Sequence, residues 1–192
     1  MRKSNLTLSV KQAASVALLL LLAACSVNVK KEPNGEDKQV DIKTLAGNIH
    51  VSKQADVADT GLTVYPGARL REKDSGDDKS ANVNVSGFGY GIKVVALEYE
   101  SGDAPAKVVS FYKNQMKKYG DVLECRTSGV HVSKMYSKND SNNLTCDGDS
   151  GSDVELKVGG RDEQHIVAVE SDGTGSSFSL VYVRTHGKDA DI

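Results

Sequence analysis

Short segments in which apolar and polar residues alternate recur along most of this chain, and they constrain its fold more than any other feature. Two of them flank Leu45–Gly47, and a longer one has Ile92–Tyr99 as its core. Others follow the middle of the chain, at Val122–Cys125, His131–Tyr136, Asn143–Cys146, Val154–Val158, His165–Glu170 and Ser177–Arg184. Alternation with a period of two is typical of β-strands that bury one face. The sequence therefore predicts many short strands, with a small hairpin over residues 40–60 and another at Asp172–Gly175.

One segment has the periodicity of a helix. Between about residues 103 and 119, apolar side chains recur every three or four positions, at Val108, Val109, Tyr112, Met116 and Tyr119. Asp103 is a favourable N-cap, Pro105 suits the first turn, and Gly120 suits the position after the last turn. The predicted fold class is α+β: a mostly antiparallel β-sheet packed by one main amphipathic helix, within a domain spanning residues 61–192.

Composition excludes some classes of function. Among 192 residues, 24 are Lys or Arg and 26 are Asp or Glu, which gives a formal net charge of −2. A nucleic-acid-binding protein needs a clustered basic excess, so no nucleic-acid partner is expected. The glycines of Gly87–Gly91 lack the following helix and the last glycine of a dinucleotide-binding loop, since residue 92 is Ile. We expect a bulge or a bent strand there, and no cofactor.

The N-terminal residues have the layout of a signal peptide. Arg2, Lys3 and Lys11 precede an apolar run at Ala13–Ala24. That run is shorter than the roughly 20 residues that a membrane-spanning helix needs. The sequence thus predicts a cleaved leader over residues 1–24. Residues 25–39 are mostly polar and include a Pro-Asn-Gly turn, which predicts a flexible tether.

The leader ends in Leu22-Ala-Ala-Cys25, which resembles the lipobox of bacterial lipoproteins. The resemblance implies cleavage before Cys25, attachment of diacylglycerol to its thiol, and an N-terminus with three acyl chains such as palmitate. Ser26 stands where an Asp resembles an inner-membrane retention signal, so the expected location is the outer membrane, facing the periplasm. The leader contains three basic residues and no acidic one, so the remaining 168 residues carry a net charge of −5.

Two cysteines remain once Cys25 carries lipid. Cys125 and Cys146 would lie in an oxidising compartment, where a disulfide bond between them is the simplest interpretation. A redox-active pair is the alternative, although such pairs usually have the spacing Cys-x-x-Cys. A disulfide here would close a loop of about 20 residues and stabilise the fold by roughly 3 kcal/mol.

Residues 147–153 contain the side chains that most resemble catalytic chemistry. Gly148-Asp-Ser-Gly-Ser152 is similar to the segment around the nucleophile of trypsin-like proteases, but the histidine motif of that family is missing. Asp147, Asp149 and Asp153 lack the spacing of an EF-hand, and the four histidines lack zinc spacing, so no metal site is expected. A solvated turn is the preferred interpretation. An envelope hydrolase or metal-dependent enzyme that uses this loop stays as the alternative.

A second resemblance covers residues 61–120. Val64-Tyr-Pro-Gly-Ala68, then a strand, then Ala106–Lys113 with its Phe-Tyr-Lys pattern, is similar to a group of uncharacterised bacterial lipoproteins and secreted proteins. The resemblance implies no activity. The sequence therefore predicts a non-enzymatic, lipid-anchored envelope protein that binds a protein or a glycan, or that assists assembly through an exposed sheet edge.

Overall fold

The computed structural model describes residues 26–31, 37–71, 80–127, 144–146, 151–160 and 162–186. These residues form one α-helix, α1 (Pro105–Met116), two short 3-10 helices (Val57–Thr60 and Lys117–Tyr119), and ten strands. The strands are β1 (Ser26–Lys31), β2 (Asp37–Thr44), β3 (Gly47–Ser52), β4 (Arg69–Leu70), β5 (Ser80–Gly87), β6 (Tyr90–Ser101), β7 (Leu123–Thr127), β8 (Asp153–Gly159), β9 (Glu163–Asp172) and β10 (Gly175–His186).

All of these strands belong to one antiparallel sheet. Its order is β1-β2-β3-β5-β6-β10-β9-β8-β7, and β4 pairs with the end of β6 that β5 leaves free. Residues 172–175 connect β9 and β10 as a hairpin, as the sequence predicts. The mostly antiparallel sheet with one main helix packed on it is confirmed.

The core lies between α1 and the half of the sheet that contains β6 and β8–β10. Val108, Tyr112 and Met116 of the helix are completely buried, which confirms the predicted apolar stripe. They pack in one cluster with sheet residues that include Val95, Leu97 and Tyr99, which alternate along β6. Because these side chains form a single cluster, burial of apolar area holds the helix on the sheet.

The start of the helix differs from the prediction. Ala104 is the N-cap residue, and no side chain caps this end. Asp103 lies one residue too early and instead accepts hydrogen bonds from the Tyr65 hydroxyl (2.9 Å) and the Lys107 ammonium (2.7 Å). Pro105 occupies the first turn, and Gly120 ends the following 3-10 turn with φ 132°, as expected.

The predicted flexible tether contains a strand. Ser26–Lys31 pairs with β2, and β2 itself begins at Asp37, inside the 25–39 segment. The prediction missed that Val27 and Val29 alternate with polar residues as in a strand. The hairpin of β2 and β3 continues the sheet, since β3 pairs with β5 from Gly47 to Ser52. The first residues assigned to the tether, the hairpin segment and the main domain, at positions 25, 40 and 61, stay predictions.

Three further segments differ from expectation or fall outside the described residues. Gly87–Gly91 spans the tight turn between β5 and β6, not a bulge. Leu144–Cys146 is not a strand. The strand predicted at His131–Tyr136 lies outside the described residues.

Candidate binding surface

One face of the N-terminal half of the sheet is made of aliphatic side chains from five adjacent strands. Cross-strand pairing aligns them in two rows, because residues directly opposite in an antiparallel sheet lie on the same face. The first row is Val27, Ile42, Ile49, Val85 and Ile92, and the second is Val29, Val40, Val51, Val83 and Val94. We call these ten residues the open face; at the usual strand spacing it is about 19 Å wide.

The open face is on the opposite side of the sheet from α1. On β6, Ile92 and Val94 belong to it, whereas Val95 points into the core beneath the helix. All ten side chains are half-buried or exposed; Val27 is 62% exposed and Ile49 is 39% exposed. Contiguous apolar surface of this kind on a folded domain is typical of an interaction site.

The other face of the same strands is polar. A single row across them contains Asn28, Asp41, His50, Asn84 and Lys93. Nδ1 of His50 lies 2.5 Å from Oδ1 of Asp41, and this hydrogen bond lowers the pKa of the Asp41 carboxyl. Both side chains are partly exposed, so the pair is a surface contact between neighbouring strands.

Only part of the open face could be predicted from the sequence. Alternation predicted the two hairpin strands and the strand that has Ile92–Tyr99 as its core. What it lacked was the register, because a shift of one residue moves every side chain to the other face. Alternating valines in Ser26–Lys31 and Ser80–Gly87 were the signal that could have extended the prediction to β1 and β5.

A shallow groove of about 530 Å³ lies between the Tyr65-Pro-Gly turn and the exposed side of α1. The Tyr65 backbone N–H donates to the hydroxyl of buried Tyr112, and the Tyr65 hydroxyl donates to Asp103. The Tyr65 ring also meets Phe111 edge to face, at 5.1 Å between centroids. The hydrogen bond from Lys107 holds the pKa of Asp103 below its usual value. These contacts join the turn to α1, so the Tyr-Pro-Gly-Ala segment has a structural role.

His165 is the one histidine of the described residues that is buried. Its ring stacks on Tyr119 at 3.7 Å between centroids, and Nδ1 donates to the Thr60 carbonyl oxygen at 2.8 Å. Burial lowers the pKa of its imidazole. The Tyr119 hydroxyl donates to the Gly61 carbonyl oxygen, so the stack joins β9 to the end of the 3-10 turn at Val57–Thr60. These contacts hold β9 and the 3-10 turn together, so His165 has a structural role.

The predicted disulfide between Cys125 and Cys146 is present, with 5.5 Å between the two Cα atoms. Cys125 lies opposite Glu155 on β8, on the side of the sheet away from α1. Next to it, the Lys157 ammonium lies 3.2 Å from the Glu155 carboxylate, and the Lys157 side chain is only 1% exposed. The C-terminal half of the sheet is thus buried on both faces, unlike the half that carries the open face.

Most of the other residues singled out in the sequence lie outside the described part. These are the leader 1–24, the lipid-attachment candidate Cys25, and residues 147–150 of the Asp/Ser loop. Ser152 is exposed and donates to the neighbouring Asp153. Within the described residues, no three or more His, Cys, Asp or Glu side chains are grouped to hold a metal ion. No helix in this part of the chain is long and apolar enough to cross a membrane.

The resemblance to bacterial lipoproteins, both at the lipobox and at residues 61–120, stays a prediction. No protein-family model, no curated protein and no solved structure matches this chain.

Proposed function

We propose that this chain is a lipid-anchored, non-enzymatic accessory protein of the bacterial envelope that binds a protein partner through the open face. The leader and Leu22-Ala-Ala-Cys25 support the proposal of a lipid anchor, and Ser26 supports a location at the outer membrane. The observation that carries the binding role is the uncovered apolar surface shared by β1, β2, β3, β5 and β6.

The chemistry of the open face favours a protein over a glycan. All ten of its side chains are valine or isoleucine, so they offer no hydrogen bond to sugar hydroxyls and no ring for stacking. An aliphatic surface instead complements another apolar protein surface, and its burial supplies the binding free energy.

Replacement of Cys25 tests the anchor. We expect Cys25→Ala to leave the protein without acyl chains and to release it from the membrane fraction, measured by mass spectrometry of the N-terminal peptide and by cell fractionation. Ser26→Ala is the matched control, because it changes the neighbouring residue and keeps the thiol. A Cys25→Ala protein that still carries acyl chains would overturn the proposed location.

Photo-crosslinking in intact cells tests the binding face. A photo-reactive residue at Ile49 or Val51 places the probe on the open face, whereas one at His50 places it on the polar face of the same strand. We expect the first two positions to crosslink the same protein and His50 not to. Val51→Lys should then abolish the crosslink from position 49. Equal crosslinking from both faces, or none from either, would contradict the proposal.

A further inference from the structure

Two tight turns at one end of the sheet expose large apolar side chains. The turn between β2 and β3 carries Leu45, which is 78% exposed. The turn between β5 and β6 carries Phe88, which is 78% exposed, and Tyr90, the first residue of β6, is 63% exposed. Their side chains do not belong to the core cluster, so burial in the fold does not account for them.

The two turns lie side by side. Gly47, at the end of the first turn, pairs with Gly87, at the start of the second. A Cβ atom on Gly47 would overlap the backbone oxygen of Ser86, and one on Gly87 would overlap that of Ala46. The two glycines therefore allow the turns to approach closely, and Leu45, Phe88 and Tyr90 project from the same end of the sheet. We call these three residues the tip cluster.

The N-terminus of the described chain lies at that same end. Ser26 pairs with Lys43, one residue before the end of β2 and its turn. Three strand spacings, or about 14 Å, separate β1 from β5. Ser26 directly follows Cys25 in the sequence, so the proposed lipid attachment point and the tip cluster lie at one end of the sheet.

We propose that the tip cluster inserts into the interface of the bilayer that holds the Cys25 acyl chains, so that the sheet stands on the membrane with its strands upright. This inference rests on the proposed lipid anchor. Aromatic side chains are enriched at membrane interfaces, where their rings lie at the level of the headgroups. Because several acyl chains already give stable attachment, the contribution of the tip cluster is orientation.

The backbone at Phe88 supports a role beyond folding. Phe88 and Gly89 both have positive φ, 53° and 82°, as in the two-residue hairpin turns that favour Asn-Gly. A large side chain in this conformation is uncommon and strained, and such strain concentrates at functional positions. The turn thus retains an exposed aromatic ring where the local backbone favours asparagine.

An upright sheet determines what each surface faces. The open face becomes a lateral surface, accessible to a protein within the envelope. The hairpin turn at Asp172–Gly175 lies at the opposite end of the strands and points away from the bilayer, since β10 runs from Gly175 at that end to His186 beside the tip cluster.

Tryptophan fluorescence tests the membrane contact directly. The chain contains no Trp, so Phe88→Trp introduces a single tryptophan, whose emission can be excited selectively. The probe is the lipidated Phe88→Trp protein in vesicles of phosphatidylethanolamine and phosphatidylglycerol, with or without lipids brominated near the headgroup. Thr174→Trp, in the exposed turn at the far end, is the matched control. We expect at least twofold quenching of the Phe88→Trp protein and no quenching of the Thr174→Trp protein. Equal quenching of both variants, or none of the first, would overturn the inference.

A second variant tests the cluster without weakening the fold. Tyr90→Trp reports on the neighbouring position, and adding Leu45→Ser and Phe88→Asn removes the other two apolar side chains. We expect the quenching of the Tyr90→Trp fluorophore by brominated lipids to fall at least twofold, with no decrease in the urea midpoint. Undiminished quenching would contradict a role for Leu45 and Phe88.

The readouts separate this inference from the proposed function. Absence of acyl chains on the N-terminal peptide, or failure of the protein to float with vesicles, would overturn the anchor itself. An acylated, floating Phe88→Trp protein whose fluorescence is not quenched would overturn only the tip contact. A blue shift of its emission on addition of an envelope protein but not of vesicles would assign the tip cluster to a protein partner and overturn the membrane contact.

Discussion

Phe88 combines a left-handed backbone with a side chain that nothing in the described fold buries. Asparagine adopts positive φ at a lower cost than phenylalanine. We therefore expect Phe88→Asn to raise the free energy of unfolding by about 1 kcal/mol, measured by urea denaturation. Phe88→Ala is the control, since alanine removes the ring and keeps the unfavourable conformation. A gain in stability from alanine as large as that from asparagine would contradict the backbone explanation.

The ion pair between Lys157 and Glu155 is almost fully excluded from solvent. Removing one member of such a pair leaves a buried charge and costs about 3 kcal/mol or more. We expect Glu155→Ala to lower the free energy of unfolding by that amount. The double variant Glu155→Leu with Lys157→Met should recover most of the loss, because it buries no charge. Equal stability of the single and the double variant would exclude the pair as the cause.

The buried imidazole of His165 predicts a dependence of stability on pH. Its pKa is lowered by burial, so the folded protein holds this proton less tightly than the unfolded chain does. The contribution of His165 to stability is complete above the unfolded pKa of about 6.5 and decreases as the pH falls below it. Urea midpoints at pH 7.5 and 5.5 measure this decrease. In His165→Phe, which keeps an aromatic ring beside Tyr119, the difference should be smaller; an unchanged difference would contradict this assignment.

Among the single elements, β7 is joined by the disulfide bond to the segment that precedes β8. Cys125 is at the middle of β7, and its bond to Cys146 closes a loop over 21 positions of sequence. In the chain-entropy description, such a bond stabilises the fold by about 3 kcal/mol. We expect Cys125→Ala with Cys146→Ala to lose about that much stability by urea denaturation. The double variant should also become insensitive to reductant, unlike the parent protein.

The helix was the element that the sequence predicted best. Its stripe of Val108, Tyr112 and Met116 is a local pattern that needs no knowledge of its partners. Its first residue was predicted less well, because the Asp103 carboxylate accepts a hydrogen bond from Tyr65, which lies 38 positions earlier in the chain, and does not cap the helix. Similarly, the aromatic contact between Tyr65 and Phe111 depends on the path of the intervening strands and has no local signal.

At the scale of the whole molecule, the sheet has two unlike halves. Strands β8–β10 are covered on both faces, and most of their residues are buried. Strands β1–β3 have few or no buried residues, and β1 is exposed along its whole length as an edge strand. Local opening requires less free energy where few apolar contacts must be broken.

This asymmetry predicts an uneven pattern of hydrogen exchange. We expect backbone amides of β2 and β3 to exchange at least tenfold faster than those of β9 and β10 in the isolated protein. Binding of the protein partner to the open face should slow exchange in β2 and β3 and leave β9 unchanged. Uniform protection across the sheet would contradict a stability difference between its two halves.

The types of element and much of the local chemistry could be predicted from the sequence alone. Alternation predicted most strands of the α+β fold, although not β1 and β5; a 3.6-residue period predicted the helix, and the number and compartment of the cysteines predicted the bond between Cys125 and Cys146. These signals are local or compositional, so they are readable without the fold. Leu22-Ala-Ala-Cys25 is a local signal too, and the Cys25→Ala experiment tests the anchor that it predicts.

Which side chains share a surface depends on the tertiary fold. The open face exists because register aligns residues from five strands between Val27 and Val94, and the tip cluster exists because two turns distant in sequence end beside each other. The physical reason is that pairing of strands distant in sequence depends on their mutual packing and hydrogen bonds, which no single segment encodes.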